Sequence, residues 1–377
     1  MENERERSVL AFADLYPVSP VGTMPSKKPL QLGILGCGAI GQTGHVPGAL
    51  RARNVMLTAL CDAAPDLLAQ VADRAGVAKR YTDYSEFLAD DEIQAVVIAV
   101  PDALHVPRAI DALRAGKHVL VEKPMGMNSQ ECETLIQCAE ETGFQVQVGC
   151  MKRHDHGTAH AREFLRESAG KILSVSAVVR DSRFRPTMQD SCFDPVLTSS
   201  QAIRPKQDPK ADREHYNLTT QSPHPLDMVR YLGGPISAVT FTVASHDGNW
   251  SWHGLLEFEG GARGHLEITS KVCGDWREEY RAYGEHGSVE IDYDLWFYHR
   301  PARVRIFRDQ HQEWTQPFRA TSNLFANELD AFAVSIINAQ PCSPDAYEGL
   351  ATVQVIEAVQ KSLRSGLRVE CPGAADK

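Results

Sequence analysis

Several features are scarce in this 377-residue chain, and each absence removes a class of function. No run of about 18 apolar residues occurs, so no membrane-spanning helix is expected. Basic residues are outnumbered, 39 Lys and Arg against 49 Asp and Glu. The resulting formal charge of −10 argues against nucleic acid as a partner. The 9 cysteines include no Cys-x-x-Cys pair, which leaves neither a disulfide framework nor a zinc knuckle. Cys37, Cys61 and Cys150 lie in apolar runs and read as small core residues. His154-Asp155-His156 with His160 brings no further ligand within reach, so no metal is expected. The first residues, MENERERS, are charged and no apolar signal-peptide core follows, which makes a cytoplasmic protein the expectation.

What is present describes a globular protein of two domains. Apolar content is 43% and charged content 23%, and the length exceeds one comfortable core. Residues 1–29 read as a polar, proline-spaced extension. From residue 30 short apolar runs alternate with helical patterns. Strands are expected at 30–35, 55–60, 95–100, 118–121 and 145–148. The unbroken run Ala95 to Val100 requires cover on both faces. Gly76, Gly116 and Gly143 mark helix ends, and Asn128 with Glu131 marks a helix start. This alternation predicts a parallel doubly wound α/β sheet over residues 30–150. Beyond it the texture changes. A helix from His160, a strand from Ile172, a long irregular stretch at 180–222, a series of hairpins and two closing helices predict a second domain, residues 151–377. That domain is α+β, on an open, mostly antiparallel sheet.

The first strand runs into Gly36-Cys37-Gly38-Ala39-Ile40-Gly41, a G-x-G-x-x-G run that follows a strand and opens a helix. The first glycine permits the turn, the second lets backbone approach a pyrophosphate, and the third lets helix and strand pack. The helix start then offers amide N–H groups to the phosphates. Gly44, Pro47 and Gly48 weaken that helix, and Pro47 is expected to kink it. About twenty residues on, the second strand ends in Asp62. A carboxylate there accepts from ribose hydroxyls and repels a 2′-phosphate, which favours NAD over NADP. The alternative for Asp62 is a turn-initiating aspartate before Ala63-Ala64-Pro65.

Together GILGCGAIG, the Cys61-Asp62 pair and VIAVPDALHVPRAIDALRAGKHVLVEKPMG resemble the glucose–fructose oxidoreductase / inositol dehydrogenase / rhizopine catabolism family. The closing stretches NLFANELDAFAVSI and EGLATVQVIEAVQKSLRSGLRV resemble it too. The resemblance implies a Rossmann domain and an open α/β domain whose sheet often joins subunits, hence a homo-oligomer. It implies that Lys123, in the Glu122-Lys123-Pro124 tripeptide, reaches the junction of nicotinamide and substrate, with a commonly cis bond before Pro124. It places Val100, Pro101 and His105 along the cofactor beside Glu122. It aligns His224 with a catalytic histidine and Asp227 with the aspartate that follows, while Thr220 stands where the family has an aspartate. It makes Lys152, at the domain crossover, a substrate contact along with Lys123, Thr220 and His224. The implied activity is NAD-dependent oxidation of a secondary ring hydroxyl in a sugar, glycoside or cyclitol, with Lys123 and His224 catalytic. Two alternatives remain: a non-catalytic nucleotide-binding sensor, which the Thr220 replacement supports, and an enzyme with a permanently bound cofactor.

Overall fold

The computed structural model describes residues 28–190, 192, 195–202, 212–295, 300–318 and 323–372. The expected N-terminal extension therefore lies, apart from its last two residues, outside the described residues.

Six parallel strands form the first sheet: β1 (Leu30–Leu35), β2 (Val55–Cys61), β3 (Lys79–Tyr81), β4 (Ala95–Ile98), β5 (His118–Glu122) and β6 (Val146–Gly149). Their order is β3-β2-β1-β4-β5-β6, so the direction of winding reverses between β1 and β4. All four residues of β4 are buried, because helices cover both faces. Leu113, Leu135 and Ile136 pack on one face. Leu67, Leu68 and Val71 pack on the other. Gly76 and Gly143 end their helices in the left-handed conformation, as their missing side chains allow. Cys37, Cys61 and Cys150 are buried, and burial pushes the Cys37 and Cys61 thiols up to about 12.

The helix after the glycine turn is not a regular one. Gly41–His45 is a π-helical segment, and a short α-turn, Val46–Ala49, follows it. Pro47 supplies no N–H to an i−4 carbonyl, and the wider turn accommodates that loss. The expected kink thus takes the form of a π-bulge. It brings His45 inward, where the ring is fully buried.

The second sheet has nine strands. They are β7 (Ile172–Ser182), β8 (Ile236–His246), β9 (Asn249–Phe258), β10 (Arg263–Val272), β11 (Arg277–Gly284), β12 (Gly287–Tyr293), β13 (Arg303–Arg308), β14 (Glu313–Thr315) and β15 (Val369–Glu370). The order is β14-β13-β12-β11-β7-β10-β9-β8-β15. Every pairing is antiparallel except β7 with β10. Alternate residues such as Val175, Ala177, Leu256, Leu266 and Tyr280 face one core with the helices. The other face carries cross-strand ion pairs, including Arg180–Glu267 and Arg281–Asp292, and leaves Leu255 and Tyr283 exposed.

The closing helices tie the two halves together. In the helix Leu324–Ile337, Leu329 and Phe332 pack on the first sheet while Phe325 joins the core of the second. In the helix Ala346–Ser365, Val353 joins the first core and Val355 and Val359 the second.

The stretch 180–222, expected to be irregular, contains the helices Arg185–Asp190 and Arg213–Gln221. Only Leu218 of the second is buried, so no apolar stripe marks it in the sequence. Between them, residues 195–202 cross to the first domain. Gln42 accepts from the Leu197 N–H at 2.9 Å and donates to its carbonyl at 2.9 Å. Ser199 donates to Asp66 at 2.7 Å.

Candidate active site

The carboxyl end of the first sheet faces the second sheet across a cavity of about 270 Å³. The glycine turn forms one approach to it. Gly36 has φ +107°, and a Cβ there would stand 2.2 Å from the Ala99 carbonyl oxygen, so only glycine fits. A Cβ on Gly41 would collide with the Gly36 carbonyl, whereas one on Gly38 would meet nothing within 4 Å. The middle of the turn is thus open to a ligand, and its two ends are locked. Asp62 braces this cradle, since its carboxylate accepts from the Cys37 N–H at 2.8 Å and from the Ala64 N–H at 2.9 Å. Turn-stabilising and ligand-facing roles are therefore compatible, because each carboxylate oxygen keeps a second lone pair. An open Gly38 and a carboxylate at Asp62 with lone pairs to spare could hold a dinucleotide.

At the tip of β5 the two opposite charges part company. Glu122 turns inward and meets His45 Nε2 at 2.7 Å. Burial alone would raise its carboxyl, but the His45 hydrogen bond and the Lys123 charge outweigh burial and hold it below the usual range. Lys123 turns into the cavity, with Nζ 3.5 Å from the Thr220 carbonyl oxygen. The Lys123–Pro124 bond is cis. Behind Glu122 lies Glu328, fully buried, with no hydrogen-bond partner for either carboxylate oxygen among the described residues. Burial, then the charges of Glu122 and Asp227, push its carboxyl well above the ordinary range.

His224 enters from the start of the helix Pro223–Gly233. Burial first, then the charges of Lys152 and Lys123, hold its imidazole well below the ordinary range. The ring is neutral at pH 7 and open to a proton. Thr220 gives it no support, since its hydroxyl turns back to donate to the Tyr216 carbonyl at 2.8 Å. Among the described residues no carboxylate orients His224.

The crossover after β6 sends its two cations to different tasks. Lys152, almost fully buried, contacts Glu278 of β11 and lies 5.7 Å from the Tyr293 ring centroid. Tyr280 donates to the same Glu278 oxygen at 2.6 Å. Arg153 holds Asp227 in a bidentate pair at 2.9 and 2.7 Å, so Asp227 anchors the His224 helix.

Ile40, Val100, His105, Glu122, Lys123, Lys152, Thr220 and His224 all line the cavity. Pro101 does not, and Gly36 to Ala39, Gly41 and Asp62 form the adjoining cradle. Both nitrogens of His105 face backbone carbonyls, Pro124 at 2.7 Å and Val100 at 3.0 Å. Its ring thus ties the strand tips together and offers the cavity no free nitrogen. Sequence reasoning missed His45, Glu278, Asp181 and Trp276, since nothing local distinguishes them. Among the described residues no group of three or more His, Cys, Asp or Glu could hold a metal ion. No helix among them is long and apolar enough to cross a membrane.

Comparison with known proteins matches both halves of the chain. Residues 30–150 match the family description "oxidoreductase family, NAD-binding Rossmann fold", and residues 216–371 match "oxidoreductase family, C-terminal alpha/beta domain". An uncharacterized oxidoreductase of Rhizobium meliloti is 40% identical over 348 residues, covering 89% of this chain and 98% of that protein. A D-xylose 1-dehydrogenase (NADP(+)) of Haloferax volcanii is 24% identical over 343 residues, 90% of this chain and 99% of that protein. A solved levoglucosan dehydrogenase, in complex with NADH and levoglucosan, shares the fold with a TM-score of 0.76 at 21% identity, over 92% of this chain and 100% of that one.

Proposed function

The chain belongs to the glucose–fructose oxidoreductase / inositol dehydrogenase / rhizopine catabolism family of oxidoreductases, and on that premise we propose that it is a cytoplasmic, NAD-dependent dehydrogenase of a secondary ring hydroxyl in a sugar, glycoside or cyclitol. The observation that carries this reading is the convergence of Lys123 and His224, from two domains, on one cavity beside an open glycine cradle. The bound nicotinamide supplies the hydride acceptor. The chain's own groups manage the proton and the pose. Lys123 donates a hydrogen bond to the reacting hydroxyl and steadies the charge that grows on its oxygen. His224, neutral, accepts the hydroxyl proton. Lacking a carboxylate partner, it holds that proton weakly and releases it to water once the product has left. Asp62, with no cation among its hydrogen-bond partners, favours a free ribose 2′-hydroxyl, hence NAD. A second copy of the chain would cover the outer face of the second sheet.

Purified protein incubated with NAD⁺ or NADP⁺ and a panel of inositols, aldoses, glycosides and sugar acids tests the proposal through absorbance of reduced nicotinamide. Turnover with a polyol class and NAD⁺ is expected. Asp62→Ala should weaken NAD and narrow the preference over NADP, and an unaltered preference would reduce Asp62 to a turn residue. Nicotinamide binding without turnover on any panel member would favour the sensor reading, to which the bare His224 lends its one supporting observation.

A further inference from the structure

The inward face of the second sheet changes character as it reaches the cavity. Along β7 the core-facing series is Val175, Ala177, Val179 and then Asp181. Along β11 it is Ala282, Tyr280 and Glu278, which pairs with Val179, and Trp276 lies just before that strand and lines the same cavity as Asp181. Both adjacent strands thus end their core-facing series in a carboxylate, with an indole next to the second, where a buried polar group is costly unless it is used. Glu278 is engaged by Lys152 and Tyr280. Asp181 is not satisfied in the same way. It is 5% exposed, and its Oδ1 accepts no hydrogen bond, although Arg185 Nε stands 3.3 Å away as an ion pair. Burial raises its carboxyl against the opposing pull of Arg185 and Lys271. Trp276 Nε1 is also buried and unpartnered, and so is Gln221 Oε1, whose amide nitrogen reaches Asn217 at 3.5 Å. All three residues line the same cavity as Lys123 and His224.

We propose that Asp181, Gln221 and Trp276 form the specificity wall of the site, selecting a neutral polyhydroxylated ring and rejecting a carboxylated or phosphorylated one. The inference rests on the dehydrogenase reading above and names the substrate class that reading leaves open. Two acceptors and one donor match ring hydroxyls, which both donate and accept. The indole face suits the apolar C–H face of a ring. A carboxylate or phosphate at this wall would meet Asp181 and leave its own charge without a partner. Of the cations lining the cavity, Lys123 faces the reacting hydroxyl in the reading above, Lys152 is paired with Glu278 and Arg185 with Asp181.

The test compares wild type, Asp181→Ala and Trp276→Phe with NAD⁺ and four probes: myo-inositol, D-glucose, D-glucuronate and glucose 6-phosphate. Turnover is followed by reduced nicotinamide, and binding by quenching of tryptophan fluorescence. Wild type should take a neutral probe over both anions. Asp181→Ala should raise KM for that probe about ten-fold with kcat within about three-fold, as loss of a ground-state hydrogen bond requires. Trp276→Phe should abolish most of the ligand-dependent quenching while leaving NAD⁺ binding intact. Unchanged KM and binding in Asp181→Ala, or a wild-type preference for either anion, overturns the wall. Failure of the dehydrogenase reading looks different: no probe is turned over, while saturable quenching by a neutral probe, weakened in Asp181→Ala, still supports the wall. Absence of both turnover and saturable quenching overturns it.

Discussion

At the scale of single residues the site is a set of charges placed where they cost most. His224 is the sharpest case. Burial and the Lys152 and Lys123 charges keep it neutral, and no carboxylate counters them. A base must be deprotonated to act, so activity falls as pH drops through its pKa. Lys152→Met removes one opposing charge and frees Glu278, and both changes raise the His224 pKa. The acid limb of kcat/KM should therefore move to higher pH in this variant, and a limb that stays put or moves down would show that His224 is not the titrating base. Residues of this kind differ in how far sequence reveals them. Lys123 and the glycines are marked by neighbours a few positions away. His45 and Glu278 are not, because their partners Glu122 and Lys152 lie 77 and 126 residues distant. Thr220 stands out in the sequence as a departure, but only the fold shows its hydroxyl turned back on its own helix.

At the scale of elements the crossover after β6 and the helix Pro223–Gly233 act as one unit. Arg153 is buried between Asp227 and Glu348, with Asp227 bound bidentately. Removing one partner leaves a buried charge without full compensation. Asp227→Ala should cost on the order of 3–5 kcal/mol of unfolding free energy, read by denaturant titration. A loss under about 1 kcal/mol would place the anchor elsewhere, since that is the range of exposed pairs. His154, beside this unit, is pushed down to about 4 by burial and by the Arg153 charge. The unfolded chain binds that proton near its ordinary pKa while the folded chain refuses it. Stability should thus decline as pH falls from about 6.5 towards 4, and His154→Gln should flatten that decline. Regular elements with apolar stripes were legible, as in the helices 65–75 and 324–337. The helix Arg213–Gln221 was not, since a single buried leucine leaves no period to read. The π-segment at Gly41–His45 showed in sequence only as the weakness around Pro47.

At the scale of the whole molecule two sheets of different kinds meet at one cavity. Strand–helix alternation reveals the parallel sheet, and hairpin spacing reveals the antiparallel one. The return of the helix Leu324–Ile337 onto the first sheet has no local signal, because its apolar residues serve two cores at once. Among the described residues no helix packs on the outer face of the nine-stranded sheet, and Leu255 of β9 is 65% exposed there. If a second copy of the chain covers this face, Leu255→Arg should shift light-scattering mass towards a monomer with the fold intact. An unshifted mass would move the interface elsewhere.

All three scales converge on Lys123, which the first sheet presents and the second sheet's helix Arg213–Gln221 meets. The most direct measurement is steady-state turnover of Lys123→Ala beside wild type on the best polyol of the panel, with NAD binding measured calorimetrically for both. The account predicts a loss in kcat on the order of 10²–10⁴ with NAD affinity unchanged. Near-normal turnover in Lys123→Ala would contradict it.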